Sequence, residues 1–205
     1  MSGTRQSIEM VAILRGLTPA SAPEVGAAVA AAGFRSIEVP LNSPEPLASI
    51  KLLVTHCRDC LVGAGTVLTA DEVDGVHAAG GRLVVAPNCS AAVIRRALDL
   101  GMRVLPGIAT ATEAFAALDA GASELKLFPA ATYGPRHLKA LKSVLPKHIR
   151  VYPVGGIGSQ DIAAWLESGA DGFGFGSELF SPAYTLAEIE KRARALIGAL
   201  RAAMT

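Results

Sequence analysis

The stretch GASELKLFPA (residues 121–130) holds one complete unit of the pattern that decides the fold. Gly121 closes the helical segment before it, a short apolar run follows, and Pro129 ends the run. In an extended chain Leu125 and Leu127 share one face, while Glu124, Lys126 and Phe128 share the other. The leucines suit packing against helices. Lys126 then points to the opposite side of its sheet, where an unpaired ammonium is costly to bury unless it deprotonates.

The same unit recurs along the chain. Strand-like runs are VAIL (11–14), SIEV (36–39), LVGA (61–64), LVVA (83–86), RVLP (103–106), ELKLF (124–128), RVYPV (150–154) and the glycine-rich GFGFG (172–176). Alanine-rich helical segments separate them. Ser21 and Thr69 read as helix N-caps, and glycines 33, 80, 101, 121 and 169 stand where a helix ends just before a strand. Regular alternation implies parallel crossover units. Eight of them close most economically into a single (β/α)8 barrel with short loops, a fold of roughly 200–250 residues. The alternative is an open doubly wound sheet, but no G-x-G-x-x-G follows the first strand. No linker divides the chain, so residues 1–205 read as one domain.

Composition narrows the function. The chain is 51% hydrophobic and 18% charged, which excludes a disordered protein. Lys plus Arg number 19 against 18 Asp plus Glu, so no basic excess steers it to nucleic acid or an acidic membrane. MSGTRQSIEM lacks the apolar centre of a signal peptide, and no run approaches the ~18 apolar residues of a membrane helix. These features lead to the expectation of a soluble cytoplasmic protein. Cys57, Cys60 and Cys89 are an odd number, and C-x-x-C at 57–60 follows a helical segment, so ordinary reduced thiols are expected. His56, His77, His137 and His148 fall in or beside helical segments, away from strand ends, as surface or capping residues; no metal site and no cofactor emerge.

In such barrels the chemistry sits at the C-terminal ends of the strands. There the sequence places Arg15, Glu38, Gly65-Thr66, Pro87-Asn88, Gly107, Lys126, Gly155-Gly156 and Gly176-Ser177. A partly desolvated lysine loses basicity, and a neutral amine attacks carbonyls to form Schiff bases. The plainer reading is a lysine salt-bridged at a frayed strand end. Glu38 lies opposite Ile37 and Val39 and also points inward, either as the partner of an ion pair or as the general acid/base of Schiff-base chemistry. Arg15 either snorkels outward or lies over the mouth and binds an anion. The GAGT run (63–66) suggests backbone approaching a ligand. Gly155, Gly156, Gly176 and Ser177 occupy the usual barrel phosphate position, where N–H groups and a helix N-terminus hold a dianion.

The segments AILRGLTP (12–19), IEVPLNSP (37–44), GAGTVL (63–68), PNCS (87–90), PGIATATEAFAALDAGASELKLFPA (106–130) and VGGIG (154–158) together resemble the class I aldolases that act on 2-keto-3-deoxy-6-phospho sugar acids. The resemblance covers nearly the whole chain, in order. It implies a metal-free (β/α)8 barrel, usually a homotrimer. It also implies Lys126 as the Schiff-base lysine, Glu38 as the acid/base, and Thr66, Pro87 and Phe128 around the pyruvyl group. Arg15 at the first strand end, Asn42 in place of an arginine, and Val154 in place of a threonine are like the galactonate-type branch rather than the gluconate type. The expected reaction is then cleavage of 2-dehydro-3-deoxy-6-phosphogalactonate to pyruvate and D-glyceraldehyde 3-phosphate, with Arg15 and Val154 among the substrate contacts. The alternatives are the same cleavage of the C4 epimer, a metal-dependent aldolase, and a non-catalytic phosphosugar-binding barrel.

Overall fold

The computed structural model describes residues 8–205. The first seven residues, part of the stretch read for a signal peptide, lie outside the described residues. Strands β1 (Glu9–Ile13), β2 (Ser36–Pro40), β3 (Leu61–Gly65), β4 (Leu83–Val85), β5 (Arg103–Leu105) and β9 (Gly172–Phe175) form one sheet in the order β5-β4-β3-β2-β1-β9. A second sheet has the order β6 (Gly107–Ile108), β7 (Glu124–Leu127), β8 (Arg150–Pro153). Every pairing is parallel, and the strands curl into a half-barrel.

Each of the expected apolar runs is a strand, within two residues at either end. The short β6 was not expected. Pro106 brings no N–H to a ladder, so β5 stops before it. The Pro106 carbonyl still accepts from the Lys126 N–H at 2.8 Å, and pairing resumes at Gly107. The glycines of β9 are also explained by packing. A Cβ at Gly172 would lie 2.1 Å from the Tyr152 ring, and one at Gly174 would lie 2.8 Å from Val154.

Helices pack outside the strands. Leu125 and Leu127 are fully buried in the large apolar shell that includes residues of both strands and helices. Helices α3 (Ala70–Ala78), α5 (Ala111–Asp119) and α8 (Leu186–Ala203) open with capping boxes at Thr69, Thr110 and Thr185. Ser21, before α1 (Ala22–Ala32), makes no such bond. Its hydroxyl pairs with Thr18 at 3.1 Å, and Pro23 removes one of the donors a cap would serve. The five expected glycines all have positive φ, between 65° and 122°. Helix α2 (Pro46–His56) ends at Cys57, and the three thiols are unpaired. Among the described residues no helix is long and apolar enough to cross a membrane.

Inside the curl, Val11, Leu83, Val85, Leu105 and Tyr152 form a small apolar layer of their own. At the N-terminal strand ends lies a polar layer that sequence reading did not single out. Glu9, Ser36, Arg103, Glu124 and Arg150 are each the first residue of a strand. Arg103 reaches Glu9 at 2.7 Å and Glu124 at 2.5 Å, and Arg150 reaches Glu124 at 3.3 Å. Ser36 donates to Glu9, and the Tyr152 hydroxyl donates to Glu124 at 2.9 Å. Burial pushes the Glu9 carboxyl up, but the bonds from Arg103 and Ser36 and the nearby guanidinium charges outweigh it and hold it below the usual carboxylate range. Burial works against the Arg103 charge as well, and its carboxylate partners more than restore it.

Candidate active site

At the other end of the strands the inner face is polar again, but unpaired. Alternation along β2 turns Glu38 inward between Ile37 and Val39, and only 2% of it is exposed. Its carboxylate fits because the neighbouring strand carries Gly65, where a Cβ would sit 1.9 Å from Glu38 Oε2. That oxygen has no hydrogen-bond partner. Lys126 is 6% exposed, and its Nζ lies 4.7 Å from the centre of the Phe128 ring, on the face shared by the two residues. No ion pair joins Lys126 to Glu38 or to any other described carboxylate.

The two groups shift each other and are shifted by burial. Desolvation pushes the Glu38 carboxyl up to about 7, with the Lys126 and Arg15 charges opposing it. Desolvation lowers the Lys126 ammonium below the usual lysine range; Glu38 opposes that fall and Arg15 adds to it. Arg15 lies at the mouth. One of its amino groups donates to Asn42 Oδ1 at 2.5 Å and the other to Thr66 Oγ1 at 3.3 Å. Thr66 is held at φ 55°, a left-handed conformation that costs a non-glycine residue about 1–2 kcal/mol.

Eleven of the residues expected at the site border one cavity of ≈ 230 Å³, while Gly65, Asn88 and Gly107 do not line it. Lys126, Glu38, Arg15, Thr66, Pro87, Phe128, Val154, Gly155, Gly156, Gly176 and Ser177 all line it, and the Phe128 ring would lie 3.1 Å from a Cβ on Gly155. Gly155 and Gly156 have φ of 98° and 71°, and a Cβ on Gly156 would come within 2.7 Å of Ala131 Cβ. Among the described residues, no turn or loop backbone bond takes the N–H of Gly156, Gly176, Ser177 or Glu178, whereas Gly155 follows the Val154–Gly174 bridge. Unpaired N–H groups around a cavity are donors kept for a ligand or solvent.

After Gly158 a 3₁₀ turn, Ser159–Asp161, runs directly into a short helix, Ile162–Glu167, and the Gly158 N–H already donates to Asp161 at 2.8 Å. Three parts of the reading change. Glycines 63 and 65 make room for the Leu83 carbonyl and the Glu38 carboxylate rather than for a ligand. His137 is not remote from the strand ends, since its Nε2 lies 2.6 Å from the Ala109 carbonyl just after β6. Ile13, Ile157, Gly174 and Glu178 also line the cavity and were not anticipated. Ile13 was legible as an inward residue at the end of β1; Glu178 had no signal beyond following Ser177. Among the described residues no three His, Cys, Asp or Glu side chains gather as a metal site. A larger open groove of ≈ 640 Å³ between α2 and α3 carries Glu45, Asp71 and Glu72 as its ionisable groups, without a nucleophile or a cation. The chemistry therefore belongs to the smaller cavity.

A weakly basic amine and a carboxyl that titrates near neutrality, walled into one cavity of a parallel α/β fold, define an enzyme that works on carbonyl carbon. The family model for KDPG and KHG aldolase matches residues 4–193, and the chain belongs to that family. It is 46% identical over 198 residues to 2-dehydro-3-deoxy-6-phosphogalactonate aldolase of Escherichia coli (strain K12), covering 96% of this chain and 97% of the relative. A solved structure described as native KDPGal superposes with a TM-score of 0.95 at 44% identity, covering 98% of each chain. KDPG aldolase from Legionella pneumophila, with pyruvate captured at low pH as a covalent carbinolamine intermediate, superposes with a TM-score of 0.79 at 25% identity, covering 96% of this chain and 94% of that one.

Proposed function

We propose that this protein is a class I aldolase, an aldehyde-lyase that cleaves 2-dehydro-3-deoxy-6-phosphogalactonate to pyruvate and D-glyceraldehyde 3-phosphate. The observation that carries this reading is the buried Lys126, outside every ion pair, sharing one cavity with the buried Glu38 whose Oε2 has no hydrogen-bond partner. The neutral Lys126 amine attacks the C2 ketone and gives a carbinolamine. Loss of water leaves a protonated imine, which draws electrons from the adjacent C3–C4 bond. Glu38, near half-ionised at neutral pH, moves protons during imine formation and accepts the proton of the C4 hydroxyl through a water. The C3–C4 bond breaks, the aldehyde leaves, and the enamine takes a proton at C3. Hydrolysis of the imine releases pyruvate and restores the amine.

Arg15 and Thr66 hold the substrate carboxylate, Pro87 and Phe128 wall the pyruvyl group, and the N–H groups of Gly155, Gly156, Gly176 and Ser177 take the phosphate. Val154, which lines the same cavity, is a further substrate contact. The pyruvate carbinolamine of the Legionella relative supports the covalent route. The relative named for the galactonate substrate, similar over nearly the whole chain, supports that epimer.

We extend the proposal to the architecture. Residues 1–205 make one domain. A single closed ring of eight strand positions joins the two sheets: Lys126 N–H to Pro106 O bridges them at one seam, and the Val154–Gly174 bridge at the other. Exposed Leu47, Leu68, Leu98 and Phe115 supply apolar surface for a homotrimer. Free thiols fit a reducing cytoplasm. Turnover is tested by following pyruvate release from each C4 epimer, with and without EDTA. The galactonate epimer is expected to give the higher kcat/KM, unchanged by EDTA. A preference for the gluconate epimer overturns the substrate assignment, and loss of activity in EDTA overturns the metal-free mechanism.

A further inference from the structure

We infer that Tyr184 and Arg192 are positioning residues for the phosphate end of the cavity. This rests on the reading of that end as a phosphate site. Residues 176–178 line the cavity, and the Gly176 carbonyl is held within the loop by the Leu179 and Phe180 N–H groups at 2.8 and 2.9 Å. Two contacts from outside hold the next two carbonyls. The Tyr184 hydroxyl donates to the Ser177 carbonyl at 3.3 Å, and Arg192 donates to the Glu178 carbonyl at 3.3 Å.

In a trans peptide the C=O of one residue and the N–H of the next point in opposite directions. Holding the Ser177 carbonyl toward Tyr184 therefore turns the Glu178 N–H the other way, toward the cavity that Ser177 and Glu178 line. The peptide after it is fixed twice, by Arg192 on the Glu178 carbonyl and by the Leu179 N–H on the Gly176 carbonyl at 2.8 Å. The brace is itself held. The Arg192 guanidinium stacks 4.2 Å above the Tyr184 ring, and Arg192 lies on α8, the longest helix among the described residues. The loop it steadies also reaches the mouth. Pro182 packs so close on Gly16, the residue after Arg15, that a Cβ there would lie 2.6 Å from its ring.

The alignment matters because Gly155, Gly156, Gly176 and Ser177 bring no cationic side chain of their own; the cations of the lining are Arg15 and Lys126. What these four residues offer a dianion is oriented N–H groups. Loosening them weakens binding of the phosphate before and during reaction alike, which raises KM and spares kcat.

The test uses Tyr184→Phe, which deletes the hydroxyl and keeps the ring under Arg192, and Arg192→Met, which removes the second tether. Condensation of pyruvate is measured with D-glyceraldehyde 3-phosphate and with D-glyceraldehyde, and inorganic phosphate binding is measured by calorimetry. Both variants should raise KM for the phosphorylated aldehyde roughly three- to tenfold. They should weaken phosphate binding by a similar factor, and leave KM for the unphosphorylated aldehyde and the rate of pyruvate capture on Lys126 unchanged. Equal shifts for the two aldehydes, or no shift with either, overturn the brace. Wild-type protein that binds no phosphate and shows no preference for the phosphorylated aldehyde overturns the phosphate site itself. Wild-type protein that binds phosphate but makes no pyruvate adduct overturns the aldolase reading. The brace then stands or falls on the calorimetry.

Discussion

Glu124 and Lys126 are two residues apart on β7 and point to the same side, yet they lead opposite lives. Glu124, at the N-terminal end, is bound by Arg103, Arg150 and Tyr152. Lys126, at the C-terminal end, has an aromatic ring beside it and no carboxylate within ion-pair reach. The two ends bury charge on the same scaffold with different consequences. Where charges find partners, as Glu9 and Arg103 do, the partners outweigh the cost of burial, and the layer ties five strands together. Where the partner is missing, burial weakens the charged forms and yields an amine and a carboxyl poised to exchange protons. Reactivity here is what unpaired burial looks like, and the paired layer beneath supplies part of the stability that the unpaired layer costs.

Substitutions that remove one charge from each end break the comparison in opposite directions. The largest stability effect is expected for Arg103→Met, which strands Glu9 and leaves Glu124 with weaker partners. Loss of about 3–5 kcal/mol is predicted at neutral pH, read from the denaturant midpoint. The Glu9 contribution has a defined pH window. Its folded pKa lies below the ordinary value, so the stability it brings is present above the unfolded pKa and is lost as pH falls through the folded one.

Glu38→Gln should do the reverse for stability while harming function. The folded pKa of Glu38 is raised from 4.5 to about 7, so wild-type stability from this group is full below the unfolded value and declines as pH rises to the folded one. Above pH 7 the ionised, buried carboxylate costs about 3 kcal/mol. The glutamine variant avoids that cost, so it should be more stable than wild type by about that amount at pH 8 and equal to it near pH 4.5. Its kcat should fall roughly 10²–10⁴-fold. A variant that is less stable at pH 8 contradicts the unpaired state of Glu38.

The strands, the inward lysine and the inward glutamate were legible because each follows from local periodicity. Leu125 and Leu127 declare the outer face of β7, and Lys126 has nowhere else to point. The basal layer was not legible, because Glu9 and Arg103 are 94 residues apart and meet only through the curl of the sheet. A charged or polar first residue on four of the expected runs, Ser36, Arg103, Glu124 and Arg150, was its only trace. The role of Gly65 was hidden for a similar reason: a glycine in its own sequence reads as a turn or a ligand contact, and only the parallel register beside β2 shows the carboxylate it accommodates. Ser21 misled because a nearby hydroxyl, Thr18, competes with the helix backbone for it. The Tyr184–Arg192 brace was beyond reach, since its partners are carbonyls and carry no side-chain signature.

The central claim is that the unpaired amine at the C-terminal end of β7 is the nucleophile. The direct measurement is incubation with pyruvate, reduction with borohydride and peptide mapping, on the wild type and on Lys126→Met. One pyruvate-derived adduct is predicted on Lys126 of the wild type, with none on the variant, whose fold and melting temperature are kept or raised. An unmodified wild-type protein, or an adduct on Lys139, Lys142 or another lysine, contradicts the account.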